Sequence, residues 1–121
     1  MKTYKAISLK QPFANWVAEG KKTIETRKWN TKYRGDLVIC SSKKPAIDPA
    51  GYALCLVELY DTWPMRKEDE TGACCKLYDG AYAWLIRNVR PIHPPVPVKG
   101  QLSIFDFELP LGYDGVNKNP V

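Results

Sequence analysis

The chain has 121 residues, a size typical of one domain, with 45% hydrophobic and 26% charged residues. A chain of this length buries about two-thirds of the surface that its unfolded state exposes, so it needs no disulfide bond or metal ion to fold. No apolar run approaches the roughly 18 residues of a membrane span, and no apolar core of a signal peptide follows the basic N-terminus. We therefore expect a cytoplasmic protein without a membrane partner.

The formal net charge of +5 is distributed unevenly along the chain. Residues 1–44 contain eleven lysines and arginines against three acidic residues, a net +8, whereas residues 45–121 carry a net −3. A basic segment of this kind indicates an anionic partner, with nucleic acid as the first candidate. The alternative is a solubilising surface whose charge is unevenly distributed along the chain without a binding role.

The apolar pattern predicts six strands, over residues 4–9, 22–29, 37–41, 52–60, 82–89 and 102–109. One short amphipathic helix, of about two to three turns, is expected to open at Pro12 and to stop at Gly20. Phe13, Trp16 and Val17 lie on one face of that helix. Six strands with a single helix near the N-terminus predict a mainly β, α+β fold, a small barrel with helical decoration.

The remaining segments are predicted as connections within a single domain, residues 1–121. Residues 61–64 should end the fourth strand, and residues 66–72 suit an exposed loop or a short helix. Four prolines within residues 91–97 predict an extended segment at a sheet edge. The core is expected to span about residues 4–109, with a loosely held tail over residues 110–121.

The four cysteines indicate neither a metal site nor a cofactor. Cys40 and Cys55 lie in apolar runs typical of buried strands. The adjacent Cys74 and Cys75 have no second pair at zinc-binding spacing, and His93 is the only histidine. A redox role for the adjacent pair is open, although a structural role is preferred.

The stretch from residue 8 to residue 29 combines polar, charged and aromatic residues in a strand–helix–strand unit. It contains the pattern Gly-x-Lys-x-x-Glu-x-Arg, formed by Gly20, Lys22, Glu25 and Arg27. The period of two of the predicted strand 22–29 places Glu25 and Arg27 on one face with Thr23 and Trp29, and Lys22 on the other. A face that carries both a carboxylate and a guanidinium faces solvent or lines a polar cleft.

With this pattern the sequence resembles the ASCH domain family (activating-signal-cointegrator homology), a branch of the PUA-like superfamily. The resemblance continues in the Leu-Lys-Gln-Pro segment 9–12, in the turn at residues 33–37, and in the closing segments 83–92 and 97–100. It covers the chain from about Lys5 to Phe107. It implies a PUA-like pseudo-barrel of five to six strands, with a cleft beside the first helix that binds RNA or a nucleotide.

The resemblance assigns Lys22, Glu25 and Arg27 to the wall of that cleft. Arginine can hold a phosphate or a base edge with two hydrogen bonds, and lysine adds a point charge. Glu25 would repel phosphate, so it could orient Arg27, accept a hydrogen bond from a base, or act as a general base. The predicted RNA- or nucleotide-binding set is Lys10, Gln11, Lys22, Thr23, Glu25, Arg27 and Trp29.

Two of these interpretations have structural alternatives. Glu25 and Arg27 could form only an ion pair that holds the barrel together. Trp16 and Trp29 both offer a stacking surface for a base, but Trp16 is favoured as a core residue.

An enzyme working in the same cleft is the alternative function, with Lys22 and Glu25 as the catalytic candidates. Some relatives in the family are amidohydrolases of acetylated cytidine, whose motif runs Lys-Thr-Ile-Thr-x-Arg. Here Glu25 stands where the catalytic threonine would be, and a carboxylate cannot replace a hydroxyl nucleophile. Other members are linked to RNA cleavage, for which Lys22 with Tyr33 or Ser8 could supply acid–base groups.

The expected partner is therefore RNA or a modified nucleoside, bound by a monomer. A third interpretation, an interaction module that uses residues 93–97, rests on the proline content of that segment alone.

Overall fold

The computed structural model describes residues 1–110, so residues 111–121 of the predicted tail lie outside the described part of the chain. The elements are, in chain order, β1 (Lys2–Leu9), α1 (Phe13–Ala18), β2 (Ile24–Arg27), β3 (Gly35–Ser41), β4 (Tyr52–Pro64), a 3-10 turn (Lys67–Asp69), α2 (Glu70–Ala73), β5 (Tyr82–Pro97) and β6 (Phe105–Leu109). No helix among these residues is long and apolar enough to cross a membrane.

The six strands form one sheet in the order β2-β5-β4-β3-β1-β6. The pair β1–β3 is parallel and all other neighbours are antiparallel. A parallel pair requires a crossover connection, which α1 and β2 supply between β1 and β3. Over residues 1–110 the edge strands β2 and β6 do not pair, so the barrel is open. The prediction of a mainly β fold with six strands and one N-terminal helix is confirmed.

The central strands are apolar on both faces because the core lies on both sides of the sheet. Alternate residues of β3 belong to different clusters: Leu37 and Ile39 contact one, Val38 and Cys40 the other. Helix α1 covers the first cluster with Ala14 and Val17, while the chain after β5 and strand β6 cover the second with Val98, Phe105 and Leu109. Such continuous apolar runs are typical of strands buried on both faces.

Several predicted boundaries are wrong. Strand β4 does not end at Tyr60 but includes residues 61–64, because Asp61–Pro64 pair with the first residues of β5. Helix α1 has only six residues, fewer than two turns. The last strand begins at Phe105, and Leu102, predicted to lie in it, is 93% exposed in the preceding loop.

The proline-rich segment is extended, as predicted, but it belongs to β5 rather than to a separate element. Within residues 1–110, strand β2 pairs with β5 over Tyr82–Leu85 only, and β4 pairs with the rest of β5. Sheet edges tolerate prolines, because the missing N–H group is not needed for the ladder there.

The four cysteines are free thiols in two different environments. Cys40 and Cys55 are completely buried, and burial raises the pKa of each thiol to about 12. Cys74 and Cys75 are partly exposed after α2. The thiolate is the nucleophile, so the two pairs should differ in reactivity.

We predict that a small alkylating reagent near pH 8 modifies two thiols rapidly in the folded protein and four after unfolding. Mass spectrometry should place the rapid labels on Cys74 and Cys75. Rapid labelling of Cys40 or Cys55 without denaturant would contradict the buried positions described above.

Candidate functional site

A cavity of about 870 Å³ opens at one end of the sheet, beside the start of α1. We call it the basic cleft; its walls are residues 8–10, 13, 22, 25–28, 41–43, 51, 75, 78 and 99–103. Six of these side chains are cationic (Lys10, Lys22, Arg27, Lys28, Lys43 and Lys99), whereas Glu25 is the only acidic one. The volume lies within the range of sites for small organic ligands.

The walls of the cleft come from segments that are far apart in sequence, because several strands end at the same edge of the sheet. In the parallel pair β1–β3, Leu9 lies opposite Ser41, and the amide of Ser42 donates to the Leu9 carbonyl at 2.9 Å. Lys10 and Lys43 follow these strand ends into the wall of the cleft. The opposite wall is strand β2, an edge strand that pairs only with β5.

Lys22, Glu25 and Arg27 form an ion cluster on that wall, with Lys22 and Glu25 buried and Arg27 partly exposed. The Lys22 Nζ lies 3.6 Å from the Glu25 Oε1, and the Arg27 Nε donates to the Glu25 Oε2 at 2.9 Å. The exposed fractions of the three side chains are 2%, 11% and 24%, in chain order. Glu25 is thus engaged by both cations, and the cluster keeps one net positive charge.

Each cation of the ion cluster has a further contact that holds it in place. The Arg27 Nη2 donates to the Ser8 carbonyl at 2.8 Å, which joins β2 to β1 across the cleft. The Lys22 ammonium donates to the Ala73 carbonyl and lies 5.2 Å from the centre of the Phe13 ring. These contacts compensate for much of the cost of burying an ammonium group.

The carbonyl of Ala73 reaches Lys22 because α2 packs very closely on the chain that leads into β2. The Gly72 carbonyl accepts the Thr23 amide at 2.9 Å. A Cβ at position 72 would lie 2.8 Å from the Thr23 Oγ1 and 3.0 Å from the Ile24 Cδ1, so a side chain here would require those two side chains to shift. Gly72 therefore helps to hold the ion cluster although it does not line the cleft.

The sequence model of the ASCH domain matches residues 7–96. The chain belongs to the ASCH domain family. This match confirms the resemblance drawn from the sequence and covers the residues that form the ion cluster.

Solved structures of ASCH proteins share the fold. The ASCH protein from Zymomonas mobilis has a TM-score of 0.63 and 19% identity, over 86% of this chain and 87% of that one. Two single-residue variants of that protein, one Tyr-to-Phe and one Ser-to-Ala, have TM-scores of 0.64 and 18% identity. Each covers 86% of this chain, matching 89% and 87% of the respective variant. A search of curated proteins found no match to this chain.

The structure brings four of the seven predicted binding residues of this ASCH domain together in the cleft wall: Lys10, Lys22, Glu25 and Arg27. The assignment of Lys22 to the opposite face from Glu25 is wrong. Strand β2 begins at Ile24, so Lys22 precedes the region in which side chains alternate. It contacts Glu25 from there.

The other three predicted residues make contacts outside the cleft. Gln11 is buried, and its amide donates to Asn15 and to the Pro49 carbonyl, so it ties α1 to the loop after β3. The amide of Thr23 bonds to α2, and its side chain is exposed. Trp29 packs edge-to-face on Trp84, with ring centres 4.8 Å apart.

Two further sequence assignments change with the structure. Trp16 is only partly buried and lies outside the apolar clusters of residues 1–110, with the Lys21 ammonium 4.1 Å from its ring centre. The favoured core assignment of Trp16 is therefore wrong. Tyr33, a candidate acid–base group, is not in the cleft wall; its hydroxyl donates to the Asp36 carbonyl.

Sequence reasoning missed the side of the cleft formed by the segment after β5. Residues 99–103 line the cleft, and Lys99 is the one cation of the wall outside the basic N-terminal half. The closing Pro-Val-Lys-Gly segment was a signal for it. Tyr78, whose hydroxyl donates to the Thr26 Oγ1 at 3.0 Å, carried no sequence signal.

Within residues 1–110 no cluster of His, Cys, Asp or Glu side chains suits a metal ion.

We predict that Glu25→Ala lowers the free energy of unfolding by about 3–5 kcal/mol, because it leaves the buried Lys22 and the partly exposed Arg27 without their shared carboxylate. The measurement is urea unfolding followed by circular dichroism. Glu58→Ala is the matched control: Glu58 also lies on a strand and pairs with an arginine at 3.0 Å, but this pair faces solvent. A loss for Glu25→Ala no larger than that for Glu58→Ala would show that the ion cluster does not stabilise the fold.

Proposed function

We propose that this ASCH domain binds RNA or a nucleotide in the basic cleft. One observation carries the proposal: six cations and a single carboxylate line one cavity, and that carboxylate is already paired with two of the cations. The uncompensated charge favours a polyanionic ligand, for which phosphates are the natural chemistry.

The cations of the cleft wall differ in solvent exposure, and their proposed roles differ accordingly. Lys10, Lys28, Lys43 and Lys99 are exposed and can reach phosphates without losing an internal partner. Arg27 is partly exposed, with its Nε held by Glu25 and its Nη2 held by Ser8, so its guanidinium is presented in one orientation. A guanidinium fixed in this way suits a base edge or a phosphate oxygen.

Glu25 has a positioning role in this proposal. Its two oxygens face Arg27 and Lys22, so it is committed to orienting cations. This arrangement supports the first of the three roles that the sequence left open, the orientation of Arg27, over a general base. The apolar surfaces of Phe13 and Leu102 in the same wall offer contacts for a base.

We predict that the affinity for short single-stranded RNA falls steeply with salt, with a log–log slope of about −3 if four phosphates are contacted. Arg27→Ala should weaken binding about tenfold, because it removes an oriented donor to a charged or base acceptor. Fluorescence anisotropy at several salt concentrations measures both effects.

The control for this prediction is Lys67→Ala, which removes an exposed lysine outside the cleft. It should bind like the unmodified protein. RNA affinity that is insensitive both to salt and to Arg27→Ala would overturn the proposal.

A hydrolytic activity in the same cleft is the second candidate. The observation that favours it is a buried lysine ammonium and a tyrosine hydroxyl, Lys22 and Tyr78, in one cavity wall. These are groups that general acid–base catalysis uses. Ser8 also lines the cleft, but its Oγ is buried, has no hydrogen-bond partner within residues 1–110, and lies under Gly100.

If the cleft is catalytic, wild-type protein should hydrolyse acetylated cytidine or cleave labelled RNA, and Tyr78→Phe should slow that reaction at least about tenfold. Tyr78→Phe removes only a hydroxyl, so a folded variant is expected. Chromatography of the products gives the rates, with Tyr82→Phe as the control. No turnover of either substrate by the wild-type chain would reject this candidate.

A further inference from the structure

A second concavity opens from the basic cleft. It has a volume of about 490 Å³ and is lined by Lys43, Ala50, Gly51, Tyr52, Pro97, Val98 and Lys99. We call it the side groove. Lys43, Gly51 and Lys99 belong to the walls of both cavities, so the side groove continues the cleft past these three residues.

Gly51 lies between the two segments that carry the shared lysines. Its amide donates to the Ser41 carbonyl at the end of β3, and its carbonyl accepts the Val98 amide after β5, both at 3.0 Å. The chain therefore brings Lys43 and Lys99, which follow these two strand ends, to the same place. The Lys43 side chain lies across Gly51, since a Cβ there would come within 3.0 Å of the Lys43 Cγ.

The side groove combines two cations with apolar and aromatic residues. Its only charged lining residues are Lys43 and Lys99, and none is acidic. The other lining residues are Gly51, Ala50, Pro97, Val98 and the partly exposed Tyr52. A pair of cations beside an aromatic residue can bind a phosphate and the base of the same nucleotide.

We infer that the side groove is the subsite for the next nucleotide of a single-stranded RNA, so that the ligand is an oligonucleotide rather than a free nucleoside or nucleotide. Lys43 and Lys99 bind the linking phosphate, and Tyr52 contacts the neighbouring base. This inference rests on the proposed function, because it adds a second nucleotide to the ligand proposed for the basic cleft. It predicts that affinity depends on chain length.

The first test places a negative charge where only an oligonucleotide would reach it. Ala50 lines the side groove but not the basic cleft. Ala50→Asp should weaken binding of a single-stranded RNA of about eight nucleotides about fivefold, the upper range for one exposed charge pair. It should leave binding of the four nucleoside monophosphates little changed. Ala46→Asp, the same change at an exposed position of the same loop outside both cavities, should affect neither ligand.

The second test measures the contribution of the shared lysines. Removing Lys43 and Lys99 together, as Lys43→Ser with Lys99→Ser, should reduce the salt slope of RNA binding by about 0.7 for each phosphate that the protein no longer binds. Circular dichroism of each variant checks folding. Anisotropy serves for the RNA and isothermal titration calorimetry for the monophosphates.

The outcomes separate this inference from the proposed function. Equal affinity for monophosphates and RNA, or an Ala50→Asp effect shared by Ala46→Asp or by the monophosphates, overturns the side-groove subsite and leaves nucleotide binding in the cleft intact. Failure of the wild-type chain to bind any of these ligands overturns both. Length-dependent affinity with a selective loss in Ala50→Asp supports the inference.

Discussion

The pairing of two cations with one buried carboxylate at the edge of the sheet is the constraint on which the rest of the site depends. Lys22 and Arg27 both bind the carboxylate of Glu25, and removing Glu25 leaves both cations without their shared partner in a poorly solvated position. Arg27 also reaches the Ser8 carbonyl of β1, and Lys22 reaches the Ala73 carbonyl of α2. The ion cluster thus connects an edge strand, a central strand and a short helix, and it defines one wall of the basic cleft.

The same cluster explains how a basic cleft can coexist with a stable fold. Six cations in one cavity repel one another, and the buried ones would be costly without a counter-charge. Glu25 neutralises part of this charge inside the wall, while the four exposed lysines remain solvated and free to exchange water for a ligand. The charges are therefore divided by depth: the buried members hold the wall, and under the proposed function the exposed members supply most of the charge offered to a ligand.

The extension of the cleft into the side groove follows from the sheet topology. Because β1 and β3 run parallel and β4 and β5 begin and end beside them, the segments that carry Lys10, Lys43, Gly51 and Lys99 meet at one edge. Such an edge gathers loops that are distant in sequence, and loops at strand ends commonly carry binding residues. Gly51 connects two of these segments, because its backbone forms hydrogen bonds to both of them. Its missing side chain leaves room for Lys43.

The sequence by itself determined the strand content, the apolar character of Leu37–Cys40, the concentration of basic charge before residue 45 and the family motif, because each depends on residues near one another in the chain. Only the tertiary structure decided which polar residues share a cavity. It placed Lys99 and Tyr78 in the wall and left Gln11, Thr23 and Trp29 outside it. It also placed Lys22 beside Glu25, against strict alternation, because β2 begins two residues later and α2 supplies a carbonyl to the ammonium. Periodicity describes a strand once its ends are known, whereas long-range contacts set those ends.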